Sequence, residues 1–281
     1  MRNASRSRLL ANSLTLLLLV IVSCVFVAPF LWMVSTSLKL DSQIFTEKVQ
    51  WIPRPIQWGN YPSALTSFPF LLFLRNTLLI CVMTMIGTVI SAALPAYGFS
   101  RIKWKGRDTM FIILITTIMI PSIVTLNGQF LIFRKLGMIG AALPFPLIIP
   151  PFLGSAFSIF LLRQFFLTIP QELSDSARID GCNELGILAK IILPLSKPAI
   201  ATVALFAFTD AWKDFLNPLV YLHDENSYTL AIGLQGFLGR HQNEWSLLMA
   251  AATVMTLPML VLFFFAQRTF IQGIALTGMK G

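Results

Sequence analysis

Six long blocks of apolar residues constrain this chain more than any other feature. They run at about 9–38, 71–99, 110–133, 141–166, 198–222 and 245–267. A bilayer core of ~30 Å takes about 20 apolar residues as an α-helix, and inside lipid a helix satisfies its own backbone hydrogen bonds. The blocks therefore predict an all-α polytopic membrane protein, a single transmembrane domain over 1–281 with six transmembrane helices. Composition agrees: 56% of residues are hydrophobic and 12% charged, too little charge to cover a water-soluble domain of this size.

The first block follows Arg2, Arg6 and Arg8 and begins like a signal peptide, with LTLLLLVIVSCVFVA. No small-x-small cleavage site follows and the apolar run continues, which predicts a retained spanning helix. A net charge of +9 raises the question of nucleic acid, but the basic residues flank the apolar blocks, as topology signals do, and no nucleic-acid partner is expected. Cys24, Cys81 and Cys182 are isolated from one another. His223 and His241 lack companion ligands, so no metal site is expected. A GxxxxGK[ST] phosphate loop is absent from the sequence, so this chain should not hydrolyse ATP by itself.

Lysine and arginine placement sets orientation. The short loop with Arg101, Lys103, Lys105 and Arg107 is its clearest marker, and with it inside, both termini are cytoplasmic. The long outer loop between the first two blocks carries Trp51, Trp58 and Tyr61, which suit either membrane-surface anchoring or stacking against a bound solute.

Between blocks four and five, 168–197 is too polar to span and far longer than a turn. It reads as two short helices. The first covers about Pro170 to Ile179, with proline in its opening turn and Glu172 and Asp175 near the positive end of its dipole. Asp180-Gly181 ends it, glycine taking the left-handed position. Asn183 caps the second, which carries Leu185, Leu188, Ile191 and Ile192 toward Pro194. The small residues Ser174, Ser176, Ala177 and Gly181 would let the first helix approach a groove in another protein. An amphipathic connector lying on the bilayer is the other reading of the same residues.

In this segment Asp175-Ser176-Ala177 is followed after three residues by Gly181, and after nine more by Ile191-Ile192-Leu193-Pro194. That pattern resembles the EAA signature of ABC importer permeases, with Asp in place of Glu and Ser in place of the first Ala. WGNY at 58–61, RNT at 75–77, AYGFSRIKWKGRD at 96–108, MIPSIVTL at 119–126, KLGMIG at 135–140, AWKDFLNPL at 211–219 and the terminal GIALTGMKG are similar to segments of the maltose-type carbohydrate importers. The resemblance is to the shorter, six-helix permease of such systems.

The resemblance implies a sugar importer with a second permease, two ABC ATPase subunits that hold ATP and magnesium, and an extracytoplasmic sugar-binding protein, in a prokaryotic cytoplasmic membrane. This chain would bind no cofactor of its own. Its loop from Glu172 to Pro194 would form the coupling helix that docks on an ATPase, through Glu172, Asp175, Ser176, Ala177, Arg178, Asp180, Gly181, Ile191, Leu193 and Pro194. The tail Gly278-Met279-Lys280-Gly281 would reach the ATPases. A polyol or glycerophosphodiester would suit such a permease as well as a sugar.

In block five, Asp210, Lys213 and Asp214 are spaced i, i+3 and i+4, so a continuous helix would put them on one face. Charges at membrane depth often mark a pathway, and Trp212 and Asn217 have the chemistry to stack on and hydrogen-bond a sugar. An internally paired structural cluster is the alternative. In another class, an ion-driven secondary transporter would use that face for coupling but leave the EAA-like loop without a purpose. A membrane-embedded enzyme would need a clustered nucleophile, metal set or acid pair, which the sequence lacks.

Overall fold

A computed structural model describes residues 2–46, 48–140, 143–239 and 244–278, with side chains at 12–46, 48–140, 143–238 and 244–267. Every regular element among them is helical. In chain order they are α1 (Arg2–Ser37), α2 (Asn60–Thr66), α3 (Phe70–Ser100), α4 (Arg107–Thr116), α5 (Ser122–Lys135), α6 (Phe145–Phe152), α7 (Ala156–Thr168), α8 (Gln171–Ile179), α9 (Glu184–Ile187), α10 (Leu193–Leu195), α11 (Lys197–Lys213), α12 (Leu216–Tyr221), α13 (Leu230–Gly239) and α14 (Trp245–Gly278).

Four stretches are long and apolar enough to cross a bilayer: Asn12–Ser37, Phe70–Ser100, Phe145–Thr168 and Trp245–Gln267. Two more qualify only as bent pairs, Arg107–Met119 with Ser122–Lys135 at 95° and Glu184–Leu195 with Lys197–Lys213 at 82°. The third apolar block is therefore broken rather than straight. Ile120 takes φ −78° and ψ 115° before Pro121, the extended conformation that a following proline imposes. The fifth block is broken too: α11 stops at Lys213, Asp214 is extended, and the separate α12 follows. Pro29, Pro95 and Pro258 instead lie within continuous helices.

The described chain divides into two compact units, 1–69 with 234–258 and 70–233 with 259–281. In the first, Ala64, Phe237, Ala250 and Ala251 form the core. Asp41 accepts the backbone N–H of Ser246 at 3.0 Å, and Asn60 donates to the carbonyls of Ser37 and Lys39. Lys39 is wholly buried, with Nζ 3.9 Å from the Trp32 ring centroid. That cation–π contact offsets part of the burial, which pushes the lysine pKa down. Trp51 meets Trp32 edge-on, and both Trp51 and Trp58 stay exposed.

In the second unit α3 packs against α7 and α11. Its Ala92, Ala93 and Ala96 meet Leu162, Phe166, Ala199 and Val203, small residues that let helices approach closely in a membrane. Gly87 makes room for Phe152, since a Cβ there would lie 2.5 Å from the ring. Cys81 is buried in this unit, whereas Cys24 is exposed on α1.

Candidate functional site

The segment at 168–197 is built by local signals. Ile169 is extended ahead of Pro170, and α8 begins at the next residue. It ends in a Schellman arrangement: the Cys182 N–H donates to the Ala177 carbonyl at 2.9 Å, the Gly181 N–H to the Arg178 carbonyl at 3.0 Å, and Gly181 sits at φ +79°. Asn183 Oδ1 then accepts the Gly186 N–H at 2.8 Å and starts α9. A π-helical turn over Leu188–Ile192 carries the chain toward Pro194, with the Leu193 N–H bonded to the Leu188 carbonyl. Proline's missing N–H accounts for a register change at that point.

This segment is part of the core rather than an appended loop. Ser174, Ala177, Ile187, Leu188 and Ile192 are buried, and all but Ser174 share one cluster with Ala96, Tyr97, Phe166 and Val203. The small residues are thus divided: Ser174 and Ala177 face inward, while Ser176 and Gly181 are exposed. They do not form one outward stripe, because positions three apart on a helix share a face, and Ala177 on that face joins the buried cluster with Tyr97, Phe166 and Ile187. The outward face carries Glu172, Asp175, Ser176, Asp180 and Pro194 together with exposed apolar side chains, the barest being Ile179 at 87% and Leu185 at 68% exposure. Ile191 and Leu193 are half-buried.

Arg178 is the electrostatic hub. Its Nη1 donates to Asp175 at 2.7 Å, and Nε and Nη2 donate to Glu184 at 2.8 and 3.2 Å. Glu184 also accepts the Tyr97 hydroxyl. Hydrogen bonds from Arg178 first, and from Tyr97 second, hold its carboxyl below the usual carboxylate range; the bonds to Glu184 raise the Arg178 guanidinium above its ordinary value. Beside this hub Arg101, 5% exposed, donates to the carbonyls of Phe166 and Ile169 and to Gln171 Oε1. The two carbonyls belong to the end of α7, where a cation is favoured by the helix dipole.

The charged motif of block five lies elsewhere, on a cavity of about 740 Å³ walled by α3, α5, α6, α11 and α12. Asp210 and Lys213 line it as an ion pair at 2.8 Å. Asp214 has left the helix, so it does not complete an i, i+3, i+4 face; it accepts the backbone N–H and side-chain amide of Asn217 and caps α12. Asp214 and Asn217 line the cavity as well. Trp212 does not: it is 4% exposed and stacked on Phe208. The buried hydroxyls of Tyr221 and Thr229, on the same wall, have no hydrogen-bond partner among the described residues. Gly278 ends α14, and Met279, Lys280 and Gly281 lie outside the described residues.

A family model described as "Binding-protein-dependent transport system inner membrane component" matches residues 84–276, which include both the buried segment and the cavity motif. The chain belongs to this family. As an inner membrane component it is a multi-pass transport subunit and not an enzyme. It is 30% identical over 284 residues to the maltodextrin transport system permease protein MdxG of Bacillus subtilis, covering 99% of this chain and 100% of that one. It is also 30% identical to the arabinooligosaccharides transport system permease protein AraQ of the same species, covering 94% of each. A crystal structure of a bacterial ABC transporter that imports the acidic polysaccharide alginate superposes with a TM-score of 0.81, at 25% identity, over 94% of this chain and 98% of that one. Dependence on a binding protein leaves the ion-driven and enzymatic readings without support.

Sequence reasoning missed three residues of this inner membrane component: Tyr97, Arg101 and Glu184. Tyr97 and Arg101 stand in the recognised AYGFSRIKWKGRD stretch, where Arg101 serves only as a topology marker. Its burial, unlike the exposure of Lys103 and Lys105, is what sets it apart.

Proposed function

We propose that this chain is the permease subunit of an ATP-driven importer for sugars. It crosses a prokaryotic cytoplasmic membrane six times, as one transmembrane domain with both termini in the cytoplasm. A second permease completes the pathway, two ATPase subunits bind ATP and magnesium, and an extracytoplasmic binding protein delivers the sugar. The segment 168–197 is the coupling loop. The observation that carries this reading is its two-sidedness: one face is locked into the chain's own core while Ile179 and Leu185 stand bare among Asp175, Ser176 and Asp180. Exposed apolar side chains ringed by polar ones suit a protein groove. The relatives' transport of oligosaccharides supports sugar as the cargo. Closure of the ATPases would swing this face and rock the helices around the cavity between inward- and outward-open states, with Asp210, Lys213, Asp214 and Asn217 on the sugar's path.

Cysteine cross-linking tests the docking. Ile179→Cys in native membranes should form a bridge to a cysteine placed in the ATPase groove, and Lys103→Cys should not. The absence of any Ile179→Cys adduct in complexes active for uptake would contradict the assignment. For the pathway, Asn217→Ala should reduce sugar uptake while leaving assembly intact; unchanged uptake would remove Asn217 from it.

A further inference from the structure

We propose that Tyr97 and Arg101 are positioning residues that clamp the coupling segment to α3, so that α3 carries the segment's motion to the cavity. The inference rests on the coupling reading above. Chain connectivity joins the segment only to α7 and α11, yet its N-terminal corner and its middle are tied by polar contacts to the C-terminal end of α3, which is remote in sequence. The Tyr97 hydroxyl holds Glu184 at the start of α9, and through Arg178 the same carboxylate is fastened to α8. Arg101 holds the α7–α8 corner at Phe166, Ile169 and Gln171.

Both side chains are buried, Tyr97 at 4% and Arg101 at 5% exposure. Ile187 and Ile192 share a buried cluster with Ala92 and Ala96 of α3, and parting the polar contacts would in addition strand buried donors without water. The segment and this end of α3 therefore move together. At the other end of the same continuous helix, Thr77, Ile80 and Thr84 line the cavity. Tyr97 lies roughly 20 Å from Thr84 along the axis, at about 1.5 Å per residue. One continuous helix, with Pro95 inside it, thus joins the face offered to the ATPase to the wall offered to the sugar.

The test uses the complete transporter reconstituted with its ATPases and binding protein, measuring ATPase retention, ATP hydrolysis and sugar uptake. Tyr97→Phe removes one oxygen and keeps the ring. It should retain the ATPases and hydrolyse ATP, while uptake per ATP falls about tenfold, the weight of one charge-assisted hydrogen bond in a two-state balance. Arg101→Lys, which keeps the charge but loses the planar fork, should lower the same ratio. A merely structural role would reduce hydrolysis and uptake together and leave the ratio unchanged; that result for Tyr97→Phe overturns the clamp. A wild-type chain that retains no ATPase would overturn the coupling reading itself, so the two failures are distinguishable.

Discussion

The Tyr97 hydroxyl donates to the Glu184 carboxylate at 2.5 Å across 87 residues of chain, joining a transmembrane helix to the segment that faces outward between blocks four and five. Because Glu184 is also gripped by Arg178, this one oxygen pair belongs to a chain of polar contacts running from α3 to Asp175. Such contacts are expected to be interdependent. Tyr97→Phe and Glu184→Gln should each lower the thermal stability of the purified complex by about 1–2 kcal/mol. The double variant should fall short of their sum by about 1 kcal/mol. A full double-mutant cycle measures this; strict additivity would show that the pair is not coupled.

The same carboxylate sets an acid limit. Its folded pKa is depressed by Arg178 and Tyr97, so its contribution is present above the unfolded value of about 4.3 and is lost as pH falls through the lower folded value. Between pH 6 and 8 the contribution is constant. The stability gap between wild type and Glu184→Gln should therefore be flat at neutral pH and close below about pH 4. The side chain is 42% exposed, so solvent screening holds the gap to about 1 kcal/mol, the lower end of the range expected for Glu184→Gln. Thermal melts in detergent across that pH range measure it.

Arg101 presents a harsher case. Arg101→Met leaves the Phe166 and Ile169 carbonyls buried without their donor and should cost about 3 kcal/mol or more. Its measure is the yield of monodisperse protein and the melting temperature. Arg101→Lys should recover part of the loss, since an ammonium cannot reach all three acceptors in one plane.

Gly181 is needed for backbone shape alone. A Cβ there meets no atom within 4 Å, but φ is +79°. Gly181→Ala should cost about 1–2 kcal/mol and Gly181→Asn less, because asparagine tolerates the left-handed region better. Gly181→Pro should spare membrane insertion and abolish uptake, since its ring cannot adopt that φ. Uptake and membrane abundance of the three variants give the order.

Gly87 is the opposite case, a packing requirement without backbone strain. Gly87→Ala drives a methyl into the Phe152 ring and should destabilise by about 1–3 kcal/mol. Phe152→Leu in the same chain should restore part of the loss. An additive double variant would show that the ring is not the obstacle.

Much of this molecule can be read from short stretches of sequence. The apolar blocks announce a lipid solvent, since only a self-bonded helix survives there. Pro170 and Gly181 bracket α8 and Asn183 marks the start of α9, because a capping bond is made within a few positions of its signal. Other features were decided only by tertiary packing. Ser174 and Ala177 turn inward, Ala177 into the cluster that also holds Tyr97 and Phe166. Trp212 leaves the cavity because Phe208 stacks on it, and Asp214 leaves the face of Asp210 because it caps α12 instead. Arg101 looks in sequence like Lys103 and Lys105, but it alone of the three is buried against the end of α7. Local signals fix where a helix starts and stops; which of its faces is covered, and which distant carboxylate a tyrosine reaches, depends on neighbours that no nearby residue encodes.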